Sequence, residues 1–217
     1  MTEESSPAPP SRSGAVRRWR EGLAALAERD GRIRAALAEV GPPPMALRGA
    51  GFAALLRAIA AQQVSAASAR AIWGRLEEAA GGRVTPAAVL ALGPEGLRAA
   101  GLSRPKAGYA LAIAGELASR RVSLRRIARM PDEEAIAALS SLKGIGRWTA
   151  EVWLLFAAGR PDIWPAGDLA LCAALQRTLG LDARPTPQQA ARLTEIWSPH
   201  RSAAAILHWH IYRTAPS

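Results

Sequence analysis

The sequence predicts an all-α protein, and three observations carry that expectation. Ala, Leu, Arg and Glu, residues that keep most of their rotamer freedom in a helix, dominate the body of the chain. Alternating runs of Val, Ile and aromatic residues, which mark half-buried strands, are missing. Glycine and proline signals punctuate the chain at helix-length intervals. With 217 residues, 49% of them apolar and 21% charged, the chain has the composition of a globular protein rather than a disordered one. Its length suits one compact domain or two small ones.

The elements follow in order. Val16 to Ala27 and Arg32 to Val40 read as two short helices around Asp30-Gly31. Pro42, Pro43 and Pro44 then stop the chain, because consecutive prolines lack N–H donors. Phe52 to Ala61 and Ser65 to Ala80 form the next pair, with Ser65 as N-cap and Gly81-Gly82 as the stop. Pro86 and Pro94 each suit the first turn of a short helix, the former capped by Thr85. Further helices are expected over 106–120, 124–130, 132–140, 149–158, 168–179, 186–197 and 201–212.

Charge narrows the partner. Lysine and arginine total 28 against 18 acidic residues, a formal +10, and 26 of those cations are arginine. Between Arg98 and Arg129 eight cations face one anion, Glu116. That stretch is either a solvated face in an arginine-rich chain or a phosphate-contacting surface. The single cysteine, Cys172, excludes an internal disulfide and an iron–sulfur cluster, and it suits a reducing compartment such as the cytoplasm. Residues 1–15 read as a Ser/Pro-rich tail without the apolar core of a signal peptide, and no run approaches membrane-spanning length.

Two glycines, Gly144 and Gly146, lie between helical stretches in Leu142-Lys143-Gly144-Ile145-Gly146-Arg147-Trp148-Thr149-Ala150. A Gly-x-Gly turn entering a helix is either a tight helix–helix connection or a cradle whose free N–H groups and helix dipole suit an anionic oxygen. Lys143 and Arg147 flank it.

Four segments in order then carry a resemblance: Ala61-Gln62-Gln63-Val64-Ser65, the hairpin, Trp164-Pro165-Ala166-Gly167-Asp168-Leu169, and Trp197-Ser198-Pro199-His200-Arg201-Ser202. The chain resembles the helix-hairpin-helix (HhH-GPD) DNA glycosylases over roughly Phe52 to Tyr212, and within them the DNA-3-methyladenine glycosylase II type. The resemblance implies two helical subdomains flanking a DNA-binding cleft. Residues 51–167 would end in the helix-hairpin-helix at about 139–158, residues 16–50 would join 168–217, and the extra N-terminal β domain of some relatives would be absent. It also implies a monomer that binds damaged double-stranded DNA and no membrane.

Site residues follow from the same resemblance. Asp168, which on the sequence alone also reads as an N-cap, is expected to stabilise the cationic sugar left as a damaged base departs. Trp148 stands where backbone-cutting relatives carry a Schiff-base lysine, so base removal without strand cleavage is expected. Trp148, which also reads as core, joins Val152 and His200 as expected walls of a base pocket, the last two departing from the aromatic residues of relatives. Gln63, with its neighbour Gln62, is expected to fill the gap left by the flipped nucleotide, where relatives often place leucine; the doublet otherwise reads as a polar turn. Lys143, Gly144, Gly146, Arg147 and Thr149 are expected at DNA phosphate. The carbonyls of Ser140, Leu142 and Ile145 are expected to hold a sodium or potassium ion. No zinc site is expected from His200, His208 and His210, and no catalytic cofactor. The expected substrate is an alkylated base of the 3-methyladenine or 7-methylguanine type. A glycosylase for deaminated, mismatched or oxidised bases, and a non-catalytic damage-binding scaffold, are the competing readings.

Overall fold

A computed structural model describes residues 12–47 and 51–214, and among these every regular element is a helix. They divide into two compact units, one of residues 51–153 and the other of 12–47 with 154–214. The division falls after Trp153 rather than at 167. Residues 154–167 go with the second unit because their bonds lie there: Asp162 takes the Arg201 guanidinium at 2.8 and 2.9 Å, and Ile163 N–H donates to Ser202 Oγ at 2.9 Å.

In the first unit α3 (Phe52–Ala61) buries Phe52, Leu55, Leu56 and Ile59, spaced three and four apart on one face. Each such side chain removed from water contributes about 1.5–3 kcal/mol. Ser65 caps α4 (Ala66–Ala79) by accepting from Ser68 N–H, and Arg57 stacks 4.3 Å from the Trp73 ring of that helix. Along α5 (Pro86–Ala99) Gly93 takes φ 61° before Pro94, so the span is two helical pieces joined by a kink, as the two prolines predict. Ser103 caps α6 (Arg104–Ala118), and Ser123 caps α7 (Leu124–Ile127), which stops well short of the expected Met130. Next comes α8 (Asp132–Ser140), with Asp132, Glu133 and Glu134 in a first turn whose dipole favours negative charge. The hairpin follows, then α9 (Arg147–Phe156), which belongs to this unit through Trp153.

The second unit opens with α1 (Arg12–Arg29), so the tail expected through residue 15 has become helix by Arg12, while residues 1–11 lie outside the described ones. Trp19 is fully buried and its indole donates to Arg160 O at 3.2 Å. Asp30 caps α2 (Gly31–Val40), receives the Arg32 guanidinium on both oxygens, and accepts from Trp197 Nε1 at 2.9 Å. The Arg32 fork holds the Asp30 carboxyl well below the usual carboxylate range. Asp168 caps α10 (Leu169–Leu179) and Gly180 closes it in the left-handed conformation. The stretch expected as one helix over 186–197 is α11 (Pro187–Leu193) followed by a 3₁₀ turn, Glu195–Trp197. The break comes at Thr194, whose buried hydroxyl bonds back to Ala190 O and Ala191 O. Finally α12 (Arg201–Thr214) buries the small run Ser202, Ala203, Ala204 and Ala205.

Arginines tie loops to helix ends throughout. Arg29 donates to Ile196 O and Ser198 O, Arg34 to Ala27 O, Arg18 to Gly159 O and Arg75 to Ala100 O. Among the described residues no helix is long and apolar enough to cross a membrane.

Candidate functional site

The hairpin joining α8 to α9 turns at Gly144, whose φ of 88° favours glycine. Space is the second constraint there, because a Cβ on Gly144 would fall inside the Tyr109 ring of α6. Gly146 meets neither limit: its φ is not positive, and a Cβ would find open space. The two glycines therefore serve different purposes. Gly144 lets the turn sit on α6, while Gly146 is exposed at the head of α9, where helix N–H groups point outward.

The cations around this turn are not equivalent. Lys143 is exposed. Arg147 donates to Glu133 at 2.6 and 3.0 Å, which offsets its charge, and to Glu151 Oε1 at 2.9 Å. Glu151 is buried, and burial outweighs the Arg147 contribution, pushing its carboxyl up to about 7. Thr149, expected at phosphate, has its side chain turned inward: it is 2% exposed and its hydroxyl accepts from Gln62 Nε2 at 3.0 Å. Leu142 O accepts from Ile145 N–H at 3.0 Å, which leaves this hard carbonyl oxygen a second lone pair. Ser140 closes α8, and the Ile145 side chain is buried.

Gln62 and Gln63 part company. Gln62, expected with Gln63 at the DNA gap, is instead committed within the unit: its amide also donates to Gly144 O at 3.3 Å. Gln63 is exposed at φ 54°, a left-handed conformation for a residue with a Cβ, and exposed Val64 follows it. Lys106, one of the eight cations between 98 and 129, donates to Ala60 O at 3.0 Å and Gln62 O at 2.6 Å, and burial lowers its pKa. Arg121 of the same stretch pairs with Glu116. Both side chains are therefore committed within the protein, although the net charge of the stretch is unchanged. Neither the Lys106 link nor the inward turn of Gln62 was anticipated.

In the second unit Asp168 Oδ1 accepts from Leu171 N–H at 2.9 Å, so the N-cap geometry is realised. Leu169 beside it is 71% exposed. Cys172 is buried and donates to Ala166 O; burial first, and the Asp168 charge second, push its thiol up. His200 lies against Gly22, where a Cβ would come within 2.8 Å of the imidazole. His208 is fully buried with Nδ1 2.7 Å from Ala204 O, while His210 Nε2 lies 3.0 Å from Val40 O. Trp148 is half-buried and Val152 buried, both on α9.

Two helices joined by a glycine hairpin, followed by an aspartate heading a further helix, define a helix-hairpin-helix protein. The chain belongs to the HhH-GPD superfamily of base excision DNA repair proteins, whose family model matches residues 56–199, more than half of its length. DNA-3-methyladenine glycosylase 1 of Schizosaccharomyces pombe is 34% identical over 164 residues, which cover 74% of this chain and 71% of that protein. The solved structure of the S. pombe 3-methyladenine DNA glycosylase Mag1 in complex with abasic DNA superposes with a TM-score of 0.81 at 29% identity, covering 90% of this chain and 98% of that one. A 3-methyladenine DNA glycosylase from Archaeoglobus fulgidus gives 0.78 at 27% identity, covering 89% and 69%.

Proposed function

We propose that this protein is a monofunctional DNA glycosylase of base excision repair, acting on alkylated bases of the 3-methyladenine and 7-methylguanine type in duplex DNA. The observation that carries the reading is Asp168: in a chain of this family, a carboxylate heads α10 with one oxygen fixed by Leu171 N–H. A fixed negative charge stabilises the positive sugar that forms as the base leaves with the electron pair of the glycosidic bond. Water then adds at C1′ and gives up its proton, for which the same carboxylate is the acceptor. An alkylated purine is already cationic, so it departs without a separate general acid.

Position 148 carries an indole, which forms no imine with the sugar, and this supports base removal without strand cleavage. Trp148 offers an electron-rich face for a cationic base. Val152, one turn further along α9, is the proposed second wall for that base, and Gln63 fills the vacated space in the duplex. Lys143, Gly146 and the N–H groups at the head of α9 are the proposed phosphate contacts. Carbonyls of Ser140, Leu142 and Ile145 are hard donors of the kind that hold sodium or potassium, and one such ion fits them better than a divalent metal, since no carboxylate belongs to the set. DNA as substrate is consistent with a monomer working in the cytoplasm at the nucleoid.

The deciding test is Asp168→Asn, in which the amide oxygen keeps the cap while the charge is lost. Single-turnover excision of 3-methyladenine is expected to fall by about 10²-fold or more. Wild-type rates for the variant refute the mechanism, and a preference of the wild type for uracil over both methylated purines refutes the substrate class.

A further inference from the structure

Three elements of the first unit meet at the loop 62–65. Where α3 ends, Lys106 Nζ takes two carbonyls, Ala60 O and Gln62 O. One turn further along α6, Tyr109 packs on Gly144 of the hairpin. Residues three apart on a helix share a face, so α6 presents Lys106 to the loop and Tyr109 to the hairpin side by side. Gln62 closes the triangle by donating to Gly144 O and to the buried Thr149 hydroxyl. Only after this clamped residue does the chain take the left-handed φ at Gln63 and expose that side chain, before Ser65 starts α4.

A non-glycine residue in that conformation persists only when its surroundings determine it. The surroundings here are the bonds on either side of the Gln62 peptide: the Lys106 ammonium on its carbonyl and the hairpin on its amide side chain. We propose that Gln62 and Lys106 are positioning residues that clamp the loop bearing Gln63 onto the DNA-gripping hairpin, so that gap filling and phosphate grip act as one rigid piece. This rests on the glycosylase reading for what Gln63 does, and on this chain's own bonds for what holds it there. The division of labour in the doublet follows: the first glutamine is built into the protein and the second is left for the ligand.

The test reads gap filling without base excision. A duplex carrying a tetrahydrofuran abasic analogue opposite 2-aminopurine is titrated to saturation with full-length protein. Wild type is expected to change the 2-aminopurine fluorescence, and Gln63→Gly to abolish that change. Gln62→Met and Lys106→Met, which keep length and lose the donors, are expected to lose most of it at saturation. Lys106→Arg, which restores a cationic donor, is expected to recover it. Affinity for undamaged duplex should fall by less than about fivefold, the scale of one hydrogen bond, and circular dichroism melting should confirm that each variant is folded. Thr149→Val, which removes only the hydroxyl acceptor, gives a second variant with an intact backbone and the same expected loss.

A full fluorescence change in Gln62→Met and Lys106→Met overturns the proposal. So does a wild-type change that survives Gln63→Gly. Failure of the glycosylase reading looks different: the wild type then shows the Gln63-dependent change and excises no base.

Discussion

The guanidinium of Arg147 donates to both carboxylate oxygens of Glu133, at 2.6 and 3.0 Å, at the mouth of the hairpin. With Glu133 paired to it and Glu151 holding its Nε, Arg147 enters any encounter with DNA already compensated by one carboxylate. Lys143→Ala is therefore expected to lower the slope of log affinity against log salt by about 0.9, the value for one phosphate contact. Arg147→Ala should change the slope less and the melting temperature more. Glu133→Gln, which loosens the outer pair, should raise both affinity and slope. Equal slopes for Lys143→Ala and Arg147→Ala would show that Arg147 leaves its glutamates on binding.

The two hairpin glycines predict opposite outcomes. Gly144→Ala places a methyl in the Tyr109 ring at a positive φ, and a stability loss of about 2–4 kcal/mol is expected from strain and overpacking. Gly146→Ala has room and permissive backbone, so urea unfolding should be unchanged within about 0.5 kcal/mol. Its methyl would instead stand between the head of α9 and an approaching phosphate, weakening DNA binding. Loss of stability in Gly146→Ala contradicts this division.

Stability against pH should contain two opposed contributions. Buried Glu151 keeps its proton up to about 7, whereas an unfolded glutamate loses it near 4.5. Between those values the unfolded chain binds fewer protons, and stability falls as pH rises. Buried His208 stays neutral down to about 4, whereas an unfolded histidine is protonated below 6.5, so in that window stability rises with pH. Each contribution is on the order of 1–3 kcal/mol over its window. Glu151→Gln should leave a stability that climbs from pH 4 to 6.5, and His208→Leu one that declines from 4.5 to 7. Chemical denaturation across that range checks both signs.

Local signals made much of the fold legible in the sequence. α3 and α8 have the bounds that their apolar spacing and flanking residues predict, and Ser65 and Thr85 cap as their positions indicate. Pro86 and Pro94 mark the two pieces of α5 because a fixed φ acts within one residue. What stayed illegible depends on tertiary contacts. Adjacent glutamines look alike in a sequence, yet one finds Thr149 and the other finds solvent. A lysine in a basic stretch gives no sign that it will turn to the carbonyls closing α3. Thr194 looks ordinary in a helix until its buried hydroxyl bends the chain toward Trp197. The aspartate at the head of α10 was visible because capping is a local event.

The arginine bonds to remote carbonyls and carboxylates give the basic composition a second meaning. Exchanging arginine for lysine throughout would leave the ionic charge at +10 and any diffusional attraction to a polyanion nearly intact. It would also replace a planar, two-pronged donor with a single point, and Arg201 shows the difference: two nitrogens of its fork grip the two oxygens of Asp162. In this protein alkalinity is partly joinery, and a lysine-rich copy of equal charge would be a looser molecule.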